Sequence, residues 1–134
     1  MKKIFKIVRP FIIPIVITLT VLFLFHYIFM LGYVPSNSME PTLEAGSLIL
    51  GLRHQTDFDK GDIIIFKHQN SYLVKRIAAV PGEYIQHNGE TIEVPADHYY
   101  MLGDNQDESY DSRYWDAPFI SAEDIIAKLL VSIK

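Results

Sequence analysis

Hydrophobic and polar positions divide the chain into two regimes. Residues 11–33 form one apolar run in which Thr18, Thr20 and His26 are the interruptions, and no Asp, Glu, Lys or Arg occurs between Arg9 and Glu40. At about 1.5 Å per residue such a run crosses a hydrocarbon core of roughly 30 Å, so the pattern predicts one membrane-spanning helix over 11–33. Beyond Thr42 the chain breaks into short runs rich in β-branched and aromatic residues, which predict strands at 47–52, 62–68, 71–80, 83–85, 91–94 and 99–102. Turn signals separate them: Glu44-Ala45-Gly46, Asp59-Lys60-Gly61, Gln69-Asn70, Pro81-Gly82 and Val94-Pro95-Ala96-Asp97. His87-Asn88-Gly89-Glu90 between alternating runs predicts a tight hairpin. The closing segment reads both ways. Ser121-Ala122-Glu123-Asp124 is a capping signal for a helix, whereas Ile125 to Ile133 has the composition of a strand.

Charge orients the apolar run. Lys2, Lys3, Lys6 and Arg9 precede it, and the first charges after it are Glu40 and Glu44. The positive-inside rule therefore puts residues 1–10 in the cytosol, 11–33 in the bilayer and 34–134 outside. A cleaved secretory signal is the competing reading, but the run is too long for one, and Pro35-Ser36-Asn37 is a poor small-x-small cleavage site. His26 is read as a neutral side chain reaching for the interface or a backbone carbonyl, since no partner charge stands in the span.

With 134 residues the chain holds one span and one small domain. Formal net charge is −4. Setting aside the four N-terminal cations leaves eight basic against sixteen acidic residues, which argues against a nucleic-acid partner. The absence of cysteine excludes a disulfide framework, a thiolate nucleophile and a Cys-ligated metal. The histidines His26, His54, His68, His87 and His98 lack the spacing that presents two imidazoles on one face, so neither metal nor cofactor is expected.

Candidate chemistry lies in three places. Ser38, in Pro35-Ser-Asn-Ser-Met39, is a possible nucleophile just outside the membrane; a serine hydroxyl needs a base to act as one. In the strand 71–80, alternation puts Leu73, Lys75, Ile77 and Ala79 on one face and Val74, Arg76 and Ala78 on the other. A lysine on an apolar face loses solvation of its charged form, its pKa falls, and it becomes a neutral base near physiological pH. The third place is the polar stretch from Gly103 to Arg113.

Together these segments resemble the bacterial type I signal (leader) peptidases. Pro35-Ser-Asn-Ser-Met-Glu-Pro-Thr-Leu43, Lys60-Gly-Asp-Ile-Ile-Ile-Phe66, Val74-Lys-Arg-Ile77 with Pro81-Gly82, and Gly103-Asp-Asn105 with Asp111-Ser-Arg113 stand in the family's order and spacing. The resemblance implies a mostly β protein: a single N-terminal transmembrane helix followed by a small antiparallel β-rich catalytic domain. It implies that Ser38 is the nucleophile and Lys75 the general base, a Ser-Lys dyad, with Ser109 orienting the amine. The Ser36 hydroxyl and the Ser38 N–H would form the oxyanion hole. Asp104, Arg76, Asp111 and Arg113 look like structural charges holding the last box against the lysine strand. Met39 would be an apolar contact near the groove and the membrane surface. The implied activity is removal of signal peptides from secreted preproteins after small side chains, at the cell membrane, with the secretion translocon as a further partner.

The stretch between Gly82 and Tyr99 is short, which suggests a minimal Gram-positive-type member, and Asp116 stands where relatives commonly have Gly. The main alternative is a non-catalytic relative acting as a chaperone in pilus or surface-protein assembly. A penicillin-binding type of Ser-Lys enzyme would want Ser-x-x-Lys, which does not occur.

Overall fold

The structure, a computed structural model, describes the backbone of residues 2–134 and the side chains of residues 9–134. The side chains of Lys2, Lys3 and Lys6 thus lie outside the described residues. Helix α1 runs Lys2–Ile28. Its segment Arg9–Ile28 has a mean hydropathy of 2.4, buries none of its side chains and is long and apolar enough to cross a membrane. Apolar side chains exposed on every side suit a helix surrounded by lipid rather than one packed on a core. Within it the Thr20 hydroxyl donates to the Val16 carbonyl, so the polar atom is satisfied inside the helix.

The helix ends five residues earlier than the apolar run suggests. Phe29–Tyr33 is a strand, β1, paired with β2 (Leu48–Arg53) from Phe29 opposite Leu52 to Tyr33 opposite Leu48. An apolar run does not distinguish the end of a helix from a strand packed on a sheet, and here the partner strand decides. No linker intervenes between α1 and β1. The junction is held from β2: Arg53 Nε donates to the Phe29 carbonyl at 3.0 Å, and the His54 ring stacks on Tyr27 at 4.4 Å.

The remaining strands are β3 (Ile63–His68), β4 (Ser71–Ala79), β5 (Tyr84–His87), β6 (Glu90–Glu93), β7 (His98–Leu102), β8 (Phe119–Ser121) and β9 (Ile125–Ile133). Seven form an antiparallel sheet in the order β1-β2-β9-β3-β4-β7-β8, and β5-β6 is a separate hairpin. Its two-residue turn has both Asn88 and Gly89 at positive φ, the geometry that the Asn-Gly pair favours. The closing segment is the strand β9, seated between β2 and β3. Ser121 caps only one 3-10 turn, Ala122–Asp124, before the β-branched residues take the chain into the sheet. Strands β1 and β8 are the elements that sequence patterning missed.

Two main clusters fill the interior. One gathers Val34, Met39, Leu43, Ile49, Ile65 and Ala127. The other gathers Ile64, Phe66, Ile77, Met101, Trp115 and Ile120. Gly51 lies against strands β3 and β9 in the first cluster: a Cβ there would stand 2.8 Å from Ile65 Cδ1 and 2.9 Å from Ala127 Cβ. The opposite face of the β1-β2-β9 edge is also apolar. Leu31 (70% exposed), Tyr33, Leu48, Val131 and Ile133 (62% exposed) lie open on it. A sheet with one wet face alternates apolar and polar residues, and this edge does not.

Candidate active site

The segment between β1 and β2 is tied at both ends and pinned in the middle. Val34 N–H donates to the Ser47 carbonyl, Gly46 N–H donates to the Val34 carbonyl, and Met39 and Leu43 plunge into the core. Met39 is therefore a core side chain, 1% exposed, that also lines the cleft, the apolar contact near the groove that the motif led one to expect. Fixed by these anchors, Ser38 is buried with its hydroxyl facing β4.

Lys75 comes from the middle of β4, opposite Ile64 of β3. The expected alternation holds: Lys75, Ile77 and Ala79 are buried, while Val74, Arg76 and Ala78 are half-buried. Lys75 is 3% exposed, and its Nζ stands 2.6 Å from Ser38 Oγ. Burial holds the amine below the ordinary lysine range; Arg113 pushes the same way, and Asp111 and Asp104 oppose it. Neither acid forms an ion pair with Lys75. Arg76 takes Asp104 through two bonds, Nε to Oδ1 at 2.8 Å and Nη2 to Oδ2 at 2.6 Å. Arg113 takes Asp111 likewise, Nε to Oδ1 at 2.8 Å and Nη2 to Oδ2 at 3.0 Å. Each carboxylate is paired with an arginine rather than with the amine, and their pull on the Lys75 proton is outweighed by burial.

The four charges do different jobs. Arg76–Asp104 joins β4 to the loop after β7, and Arg76 also donates to the Gly61 carbonyl at 2.7 Å. Arg113–Asp111 braces that loop internally. Asp111, 0% exposed, also accepts from Gly103 N–H at 2.9 Å and from the Ser109 hydroxyl at 2.7 Å. Burial alone would raise the Asp111 pKa, but Arg113, Gly103 and Ser109 together bring it below the usual carboxylate value. The Arg76 guanidinium does the same for Asp104.

Ser109 is buried beside this acid, and its hydroxyl donates to Asp111. Lys75 gives its hydrogen bond to Ser38, and no hydrogen bond joins Ser109 to the amine in this arrangement. Ser36 Oγ lies 3.3 Å from Ser38 Oγ. The Ser38 N–H donates to no acceptor among the described residues. Asp116 lies exposed in a bend without left-handed φ, so a side chain is accommodated there.

Sequence reasoning gave no role to three residues that matter. Asn105 bonds to both carbonyls around Ser38 N–H. Ser112, fully buried, exchanges two hydrogen bonds with Met101 and so ties the loop to β7. Glu108 receives a bond from Asn37 Nδ2 at 3.1 Å. Asn105 and Ser112 lie inside quoted motifs, but only their partners reveal what they hold.

The serine and lysine both line a cleft of about 480 Å³. Gly32, Val34, Ile49 and Ile65 give it an apolar floor, Leu73 and Val74 form one wall, and Tyr72, Glu108 and Tyr110 form the rim. No group of three or more His, Asp or Glu side chains suited to a metal ion occurs among the described residues.

A mostly antiparallel β domain behind one membrane-length helix, with a buried amine against a serine hydroxyl in the lining of an apolar cleft, agrees with the class suggested by the motifs. The chain belongs to the signal peptidase family, peptidase S26, whose model matches residues 5–94 and 88–133. It is 33% identical to signal peptidase I of Leptolyngbya laminosa over 135 residues, covering 74% of this chain and 66% of that protein. With signal peptidase I of Pseudomonas fluorescens it shares 27% identity, covering 65% of this chain and 55% of the relative. Against signal peptidase I S of Bacillus subtilis the identity is 29%, with 81% of this chain and 55% of the relative covered. The chain thus spans between about half and two thirds of the length of these relatives.

Proposed function

We propose that this protein is a membrane-anchored serine endopeptidase that removes signal peptides from exported preproteins. The observation carrying this reading is the 2.6 Å contact between the buried Lys75 amine and Ser38 Oγ. Neutral Lys75 takes the Ser38 proton as Oγ attacks the scissile carbonyl, and the oxyanion is met by the Ser38 N–H and the Ser36 hydroxyl. Lys75 then gives the proton to the leaving amine, and the mature protein departs. An ester remains on Ser38; water deprotonated by Lys75 hydrolyses it and frees the signal peptide. Ser109, Asp111 and Arg113 support the amine from behind, while Arg76 and Asp104 fix the strand that carries it.

An extended peptide along the cleft beside Leu73 and Val74 gains main-chain hydrogen bonds, and the apolar floor selects small side chains. The helix segment 11–28 is the anchor, with residues 1–10 cytosolic and 34–134 outside. Since β1 follows the helix without a linker, the open face bearing Leu31, Leu48 and Ile133 meets the lipid interface, which holds Ser38 near the outer surface where a signal peptide emerges. The translocon would deliver the substrate. A non-catalytic assembly chaperone would have no use for a desolvated lysine against a serine.

The test is incubation of the full chain in liposomes with a secretory preprotein, followed by sequencing of the product's new N-terminus. A cut after a small-x-small sequence supports the reading; an intact preprotein overturns it.

A further inference from the structure

The geometry points to Asn105 as the positioning residue that aims the Ser38 N–H into the cleft, an inference that rests on the proposed reaction and refines its oxyanion site. The Asn37–Ser38 peptide is trans, so its carbonyl and N–H point in opposite directions; fixing one fixes the other. The Asn37 carbonyl accepts two bonds, from Glu40 N–H at 3.0 Å within its own turn and from Asn105 Nδ2 at 3.2 Å. Only this amide orientation is attractive, because the flipped one would set two acceptor oxygens against each other. The next carbonyl, that of Ser38, accepts from Asn105 N–H at 3.0 Å. One residue therefore grips both carbonyls that bracket the nucleophile's backbone, leaving its N–H as the group without a protein acceptor.

Asn105 can serve as a fixed reference because its own neighbours are immobilised. Gly103 N–H is bound to buried Asp111, Asp104 is bound twice to Arg76, and the Asn105 carbonyl accepts from Glu108 N–H at 3.2 Å. Asn37 Nδ2 in turn donates to Glu108, a further strap between the same two loops. The oxyanion site is thus assembled across two loops 68 residues apart in sequence. Rotation of the Asn37–Ser38 peptide would turn a carbonyl oxygen toward the developing negative charge, and the Asn105 side chain opposes that rotation.

The experiment compares the full chain with Asn105→Ala and Asn105→Asp in liposomes, on one preprotein, with Ser38→Ala as control. Removing one oxyanion donor outright lowers turnover about 100- to 1000-fold, and a donor left loosely aimed loses part of that. Both Asn105 variants are therefore expected to lower kcat at least about tenfold with KM within about twofold; Asn105→Ala leaves the midpoint of the pH profile in place, whereas the carboxylate of Asn105→Asp adds to the pull of Asp111 and Asp104 on the amine and moves the midpoint upward. Asn105→Asp keeps the side-chain shape and removes the donor, so it decides the matter if the alanine variant folds poorly. The Ser38 amide resonance of ¹⁵N-labelled protein reports the clamp without turnover and is expected to move in both variants. Wild-type kcat in either variant, an unmoved Ser38 amide, or equal changes in kcat, KM and pH midpoint overturns the assignment. Cleavage by Ser38→Ala would instead overturn the reaction itself, while the amide resonance still decides for or against the clamp.

Discussion

Gly103 and the Ser38 carbonyl are pressed together so closely that a Cβ on Gly103 would stand 2.5 Å from the Ser38 oxygen. The same Cβ would lie 2.1 Å from Ser109 Oγ and 2.5 Å from Ser109 Cβ. The loop after β7 thus reaches the nucleophile through a gap that only a bare Cα fits. Because one of these contacts is backbone, no rotamer change relieves it. Gly103→Ala is expected to lower stability by about 1 to 3 kcal/mol and to separate the two loops, so that cleavage is lost even where the variant still folds. Thermal unfolding alongside preprotein cleavage measures both effects.

The pH dependence follows from the buried amine. Lys75 reacts as the neutral form, and its folded pKa is lowered chiefly by burial. Activity should therefore rise with pH through that lowered value and level off well below the roughly 10.4 of a free lysine. Stability has a matching sign: between the lowered folded pKa and the unfolded one, the unfolded chain binds the extra proton, so this residue's contribution grows with pH. A kcat/KM profile that rises only above about pH 10 would remove Lys75 as a desolvated base.

Asp111 is the hub of the loop, and its removal leaves the Gly103 N–H, the Ser109 hydroxyl and Arg113 without their partner. Breaking such a buried pair costs about 3 to 5 kcal/mol, so Asp111→Ala should show a large drop in the midpoint of denaturant unfolding. Its folded pKa is depressed, so its contribution is present above the unfolded value of about 3.9 and is lost as pH falls through the folded one. An unfolding midpoint within experimental scatter of wild type would contradict the hub role.

The open apolar face gives a prediction that separates membrane seating from chemistry. Each buried aliphatic side chain contributes about 1.5 to 3 kcal/mol when removed from water. Leu48→Glu with Ile133→Glu should therefore weaken cleavage of a bilayer-embedded preprotein several-fold while leaving a soluble peptide in detergent cut at the wild-type rate. Equal losses on both substrates would mean that the face supports the fold rather than the lipid contact.

How far the sequence could be read depended on where the deciding contact lay. The hairpin at Asn88-Gly89 and the alternation around Lys75 are local, and both stand in the structure as the pattern indicates. The boundary at Ile28 was hidden because Phe29 to Tyr33 are as apolar as the helix before them, and only pairing with β2 makes them a strand. The closing segment was ambiguous for the same reason: its slot between β2 and β3 is a long-range fact. In the site, the serine and lysine were legible as residue types in motifs. The splitting of the charges into a cross-strand pair and a pair within the loop was not, since it depends on which carboxylate each arginine meets. Asn105 was legible as part of a motif but its role was not, because its partners are main-chain carbonyls, which leave no trace in side-chain patterning.

The central claim is that Ser38 and Lys75 are the reacting pair, and single-turnover cleavage of a preprotein by wild type, Ser38→Ala and Lys75→Ala tests it most directly. The account predicts cleavage by wild type and none by either variant, with both variants unfolding close to the wild-type temperature. Substantial cleavage by either folded variant would contradict it.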